Sequence, residues 1–284
     1  MSNLPATLQN MSKEQIAVVL GVKQDTKATL PTLRLNYQKS RDINGEKVKL
    51  PKGVWTIFNG HEDVYGKNLK TNILMSGYQV REYDAVKEEY AAETIFFKTG
   101  WEERCEDTAG GYRCGKIKSK FLEGLSEEEL AAQRNKKFYR VLWGLATLKG
   151  KNANGEDAEA VNTPFILRIR GQGFMPICNY LDSFKEGEAS FDYVTEWDIE
   201  EGEHETTDFW IPLAKRGKRT KGLDDPIIDE TLPMLYKWRD DFNDDVLAQY
   251  DKKNGIVTLN NAQTTDVVHA AIESVVAVDD EVPF

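Results

Sequence analysis

Residues 138–171, "FYRVLWGLATLKGKNANGEDAEAVNTPFILRIRG", decide how the chain folds. Two apolar runs rich in aromatic and β-branched residues, 138–150 and 163–171, flank a polar connection that carries the turn pair Asn154-Gly155. That arrangement predicts two strands paired in a hairpin. Side chains alternate along a strand, so Phe165, Leu167 and Ile169 share one face and Ile166, Arg168 and Arg170 the other. The same rule separates Tyr139, Val141 and Trp143 from Phe138, Arg140 and Leu142. Cations and flat rings are interleaved on neighbouring strands.

Outward from this pair, the preceding sequence has the same rhythm. Short β-type runs at 32–38, 54–60, 72–80 and 93–100 are separated by turn residues, among them "NGEK" at 44–47, as in an antiparallel all-β unit. Two capping boxes predict helices: Ser12 with Gln15 ahead of an apolar run at about 12–20, and Ser126 with Glu129 ahead of 127–137. Downstream, 174–184 reads as a short helix, and 191–199 and 207–213 as two further strands. Leu232, Leu235, Trp238, Phe242, Val246, Leu247 and Tyr250 recur at helical spacing, which predicts a long amphipathic helix over about 232–252 packed on the β core. Residues 1–253 are thus expected to form one body and 254–284 a flexible acidic tail.

Composition narrows the function. The 284 residues are 40% hydrophobic, enough for a sizeable core, and no run of about 18 apolar residues or secretory signal pattern is visible. Three cysteines are too few for a disulfide framework, and together these features lead us to expect a cytoplasmic protein with no membrane partner. The net charge of −10 is uneven: residues 1–150 hold 24 Lys and Arg against 19 Asp and Glu, residues 151–284 hold 13 against 28. One part is suited to meet a polyanion and another to avoid or imitate one. No phosphate-binding loop, nucleophile elbow or complete dinucleotide fingerprint occurs, so no cofactor and no enzymatic activity are expected. Cys105 and Cys114 flank a Gly-Gly turn; as zinc ligands they lack an obvious second pair, and two reduced hairpin cysteines is the expected reading.

The cationic and aromatic positions point to single-stranded nucleic acid, whose phosphates need positive charge and whose unpaired bases stack on aromatic faces. The candidates are Tyr139, Arg140, Trp143, Arg168 and Arg170 on the paired strands, together with Lys116, Lys118 and Lys120, aligned if 115–121 is extended. The basic run Lys215, Arg216, Lys218, Arg219 and Lys221 is expected as a loop beside the groove.

The last residues carry a resemblance. Asp279, Asp280, Glu281, Val282, Pro283 and Phe284 resemble the acidic tip of bacterial single-stranded-DNA-binding proteins, which end in aspartates, an aliphatic residue, Pro and Phe. The match covers six residues, and the larger body looks more like phage-encoded versions, which would place the protein in the bacterial host cytoplasm. The resemblance implies an oligonucleotide-binding barrel that holds DNA and a tip that docks replication and repair proteins. Chemically, such a tip offers a ring for a pocket and a carboxylate for a basic rim. The expected fold is therefore β-rich α+β, an OB-like antiparallel barrel elaborated with helices and followed by the acidic tail. The alternatives left open are a recombination annealing factor or a nuclease carrying the same tip, and an adaptor whose acidic half mimics DNA.

Overall fold

The structure, a computed structural model, describes residues 29–37, 40–43, 46–99, 104–204 and 207–256. The helix expected at 12–20, the tail beyond 256 and the tip 279–284 lie outside the described residues.

The hairpin at the centre forms as its pattern requires. Strands β8 (Lys136–Lys151) and β9 (Asp157–Ile169) pair antiparallel from Arg140↔Ile169 to Lys151↔Asp157, with one register slip after Ala146. Their turn is held by Asn152, whose Oδ1 accepts from the backbone N–H groups of Asn154 (3.0 Å) and Glu156 (2.9 Å).

Five strands close a barrel around one face of this hairpin. β1 (Thr32–Asn36) pairs with β4 (Val54–Phe58), and β4 with β5 (Asp63–Gly66). β5 and β6 (Leu69–Asp84) run on as one line along β8, from Tyr65↔Lys151 through Leu69↔Leu148 to Glu82↔Lys136. The backbones approach closely here: a side chain at Gly144 would run into the Asn72 carbonyl oxygen. A short parallel pairing, Thr32↔Ile166 and Leu33↔Leu167, closes the ring between β1 and β9. Around the barrel the strands follow chain order. Leu33, Trp55, Ile57, Leu142, Leu148, Phe165 and Leu167 fill it and are almost fully buried.

Around this ring the sheet is extended. β7 (Glu89–Glu93) pairs with β6, and a long hairpin of β10 (Tyr193–His204) and β11 (Thr207–Arg219) joins β6 through Thr195↔Thr71 and Glu196↔Lys70. β2 (Ser40–Ile43) and β3 (Glu46–Lys49) make a separate two-stranded sheet. Three helices complete the described fold. α1 (Glu127–Asn135) starts at the expected capping box, with Ser126 N–H donating to Glu129 Oε2 (2.8 Å) and Glu129 N–H to Ser126 Oγ (3.3 Å). α2 (Phe174–Asp182) packs Ile177 and Tyr180 onto the barrel core. α3 (Pro226–Lys253) lays Ile228, Leu232, Leu235, Trp238 and Phe242 over Trp143, Leu145 and Ile166 on the outer face of the hairpin.

Three expectations are corrected. α3 begins six residues before the apolar spacing indicated, because Asp225 caps it by accepting from Ile227 N–H (3.0 Å) and Pro226 occupies the first turn. The run 93–100 leaves β7 after Glu93 and continues through isolated bridges, while the Asn243 carboxamide of α3 bonds both the N–H (2.7 Å) and the C=O (3.1 Å) of Phe96 in place of a strand partner. Residues 115–121 form no strand: Lys116 and Lys118 have extended backbone but stand between a left-handed turn at Arg113–Gly115 and a 3-10 turn at Ser119–Phe121, so Lys116, Lys118 and Lys120 do not align on a strand face.

Candidate nucleic-acid interface

The parallel β1–β9 pairing stops after Leu33 and Leu167, and beyond it the two strands separate. A cleft of about 350 Å³ opens in the barrel wall at this point. Arg34, Leu35 and Tyr37 line one side, Leu167 to Gln172 the other; Phe209 to Pro212 of β11 lie across it, and buried Trp55 contributes from the barrel.

The cleft combines rings with open positive charge. Tyr37 is 52% exposed; its ring centroid lies 5.4 Å from that of half-buried Trp210, and its hydroxyl donates to the Trp210 carbonyl (3.1 Å). Lys52 Nζ sits 5.9 Å from the Trp210 ring. Gly53, at φ +62°, supports the indole from beside it: any Cβ there would collide with the Trp210 ring. Arg34 and Arg170 are exposed and make no ion pair among the described residues. Arg170 is the hub. Burial raises the Tyr37 phenol above its ordinary pKa, and the Arg170 guanidinium pulls it back. Extending the β8–β9 register by one residue sets Tyr139 opposite Arg170. The Tyr139 phenol is pushed up to about 12, mainly by burial and by the Tyr90 hydroxyl at 3.5 Å, against the pull of Arg170 and Arg81.

The remaining candidates differ in place. Arg168 also lines the cleft and shares the outer face with Arg170, but its guanidinium is engaged within the protein: its Nε donates to Gln79 Oε1 (2.8 Å) and the group lies 5.6 Å from the Phe96 ring centroid. Burial and the nearby Arg81 draw its pKa down to about 10, so it stays charged at neutral pH. Arg81 is itself matched, its Nε 3.0 Å from Glu93 Oε2 without hydrogen-bond alignment and its guanidinium 3.3 Å over the Tyr90 ring. Trp143 is 1% exposed and packs edge-on to Phe96 under α3, so it offers no ring to a base. Tyr139 is also buried. Arg140 sits opposite Ile169 and therefore points to the other face of the sheet from Arg168, where it bonds Ser76 Oγ (2.9 Å) and stacks over Tyr78.

The basic run 215–221 is not a loop beside the groove. Lys215, Arg216, Lys218 and Arg219 continue β11 away from the cleft, Lys218 about 26 Å from Trp210 at strand rise. Lys215 pairs with Asp198 (2.9 Å) and Arg216 with Glu188 (3.1 Å), Arg216 lying between the rings of Phe184 and Tyr193. Arg219 also approaches Tyr193, and Lys218 and Lys221 are exposed. Lys116 donates to the Gln133 carbonyl (3.1 Å), and Lys120 lies over Phe121. Cys105 and Cys114 are buried free thiols in an apolar cluster with Val80, Ala92 and Phe97. Burial pushes Cys105 up to about 12 and raises Cys114 too, so both are protonated thiols at neutral pH in the metal-free protein. Among the described residues no three His, Cys, Asp or Glu side chains gather to hold a metal. Nor is any helix among them long and apolar enough to cross a membrane.

Sequence reasoning missed Arg34, Tyr37, Lys52 and Trp210. A signal was present for two of them: Arg34 in "TLRLNYQ" alternates with Leu33 and Leu35, and Trp210 in "TDFWIPL" alternates with Ile211 and Leu213, whereas Tyr37 falls in phase with the leucines and Lys52 lies in neither run. Comparison of the chain with family models, with curated proteins and with solved structures found no match.

Proposed function

We infer that the chain binds single-stranded DNA without catalysing its chemistry, holding the strand across the cleft. The observation that carries this reading is the conjunction, at one opening in the barrel, of two exposed arginines with no acidic partner among the described residues and a Tyr37–Trp210 ring pair. Phosphates would lie on Arg34 and Arg170, and bases would stack on Tyr37 and Trp210. The five-stranded closed ring is OB-like in strand number; it follows chain order, where an oligonucleotide-binding barrel is a Greek key. The acidic segment Asp279 to Phe284 then recruits replication or repair proteins, and its negative charge competes with DNA for the protein's own basic groove.

Titration of the protein with oligo-dT at two salt concentrations tests the reading. Affinity is expected to fall steeply as salt rises, with little dependence on sequence. Equal affinity at both salts, or no binding, refutes it. Deleting residues 279–284 is expected to preserve or raise affinity for oligo-dT while abolishing capture of partner proteins.

A further inference from the structure

The unpaired positive charge does not end at Arg170. Lys136 and Lys137 open β8, and the register that sets Tyr139 opposite Arg170 places Lys137 diagonally beside Arg170 on the same face of the sheet. Lys136 Nζ reaches Gly115, where a Cβ would stand 3.0 Å from it. Gly115 ends a run of three left-handed residues, Arg113 (φ 55°), Cys114 (φ 49°) and Gly115 (φ 64°), the first two of a type that avoids this conformation. Two anchors hold the turn. Asp107 accepts from Cys114 N–H (2.7 Å), and Gln133 of α1 accepts from Ile117 N–H (2.9 Å) and donates to the Gly115 carbonyl (3.0 Å).

The strained turn thereby delivers Lys116 to the start of β8, where Lys136 turns to the Gly115 side and Lys137 to the face of Arg170, beyond the last paired residue of β9. Among the described residues none of these three lysines has a carboxylate within 4 Å, including Lys136, whose cross-strand neighbour is Glu82. Their crowding is felt. Burial lowers the pKa of Lys116, and Lys137 and Lys136 lower it further; burial lowers that of Lys137, and Arg170 adds to it. Partly buried like charges raise the free energy of the fold until an anion joins them.

We propose that Lys116, Lys136 and Lys137 form a phosphodiester seat that continues the path of a single strand from the cleft, past Arg170, towards α1. This rests on the single-stranded DNA reading of the cleft. The ammonium groups act on the backbone as point charges, so the seat is blind to sequence.

The test compares wild type with the Lys136→Gln/Lys137→Gln and Lys136→Arg/Lys137→Arg double variants, measuring oligo-dT affinity across a salt series and thermal midpoint in parallel. Loss of two phosphate contacts lowers the slope of log K against log salt by about 1.4, at about 0.7 per contact on a single strand. The Gln variant is expected to show that drop with its midpoint unchanged or raised, since repulsion is relieved, and the Arg variant is expected to keep the wild-type slope. An unchanged slope in the Gln variant overturns the seat while leaving the cleft reading intact. Saturable competition by inorganic phosphate at constant ionic strength, lost in the Gln variant, also overturns the strand path, since it would mark a seat for the free ion. If wild type binds no oligo-dT, both readings fall together.

Discussion

Replacing Trp210 by alanine should weaken binding of oligo-dT while leaving the barrel closed. The indole is half-buried, bordered by Gly53, Lys52 and the Tyr37 ring, and its remaining surface faces the cleft. One base stacked on an aromatic side chain is worth about 1–3 kcal/mol, and about 1.4 kcal/mol is tenfold in affinity. The dissociation constant is therefore expected to rise about 5- to 140-fold. Stability should fall less, since the substitution removes one tilted ring pair, worth about 0.5–1.5 kcal/mol, and part of an indole's burial. Trp210→Phe keeps a ring and should recover most of the affinity. Fluorescence anisotropy with a labelled oligo-dT, well below the thermal midpoint of each variant, reads the difference directly. If the folded alanine variant binds within twofold of wild type, bases do not stack on Trp210 and the cleft is not the route of the strand. Trp143 supplies the contrast: Trp143→Phe should lower the thermal midpoint and leave the dissociation constant unchanged, because that ring is sealed under α3.

Other consequences can be checked independently of DNA. Asp107→Ala should destabilise the protein by about 2–6 kcal/mol in urea unfolding: the Cys114 N–H would be left buried and unpaired, at about 1–3 kcal/mol, and the part-buried N–H groups of Ala109 and Gly111 would each lose a hydrogen bond worth about 0.5–1.5 kcal/mol. Asp107→Asn, which retains one acceptor oxygen, should cost less. The Cys105 thiol has a folded pKa of about 12 against an unfolded value of about 8.5, so the native state favours its protonated form. Its contribution is complete below about pH 8.5 and is lost as pH rises towards 12; the urea midpoint should decline over that window, and less so in Cys105→Ala. At neutral pH a thiol reagent should modify half-buried Cys178 well before Cys105 or Cys114 in the native protein, and all three after unfolding.

Local pattern carried much of this structure. Alternation along 138–143 and 165–170 assigned those side chains to their faces, and the Ser126–Glu129 pair located the start of α1 to the residue, though the helix ends at Asn135 rather than 137. These signals are written in neighbouring residues. The candidate site was less legible because it is assembled from distant ones. That Arg140 and Arg168 point apart depends on which residue of β8 faces which of β9, and a shift of one residue would reverse it. The pairing of Arg34 and Tyr37 with Trp210 depends on β11 folding back across the barrel, which no local spacing encodes. Trp143 was misjudged for a related reason: alternation gives the face, and only the placement of α3 decides that this face is covered.

The way the ring closes bears on how the molecule assembles. Leu33 and Leu167 meet through a parallel pairing of two residues, across most of the body's sequence, while β8, β9 and β6 join through long neighbouring ladders. Contacts of such wide separation carry the largest loop-closure entropy and tend to form late. The cleft begins where that pairing gives out, and the Tyr37–Trp210 contact across it spans 173 residues, so its walls are expected to come together late in folding. Local opening would detach β1 first and dismantle the groove while the central sheet persists. A bound strand spanning Arg34 and Arg170 would then act as a staple across the seam, and its grip would be felt in slower amide exchange along β1 before anywhere else.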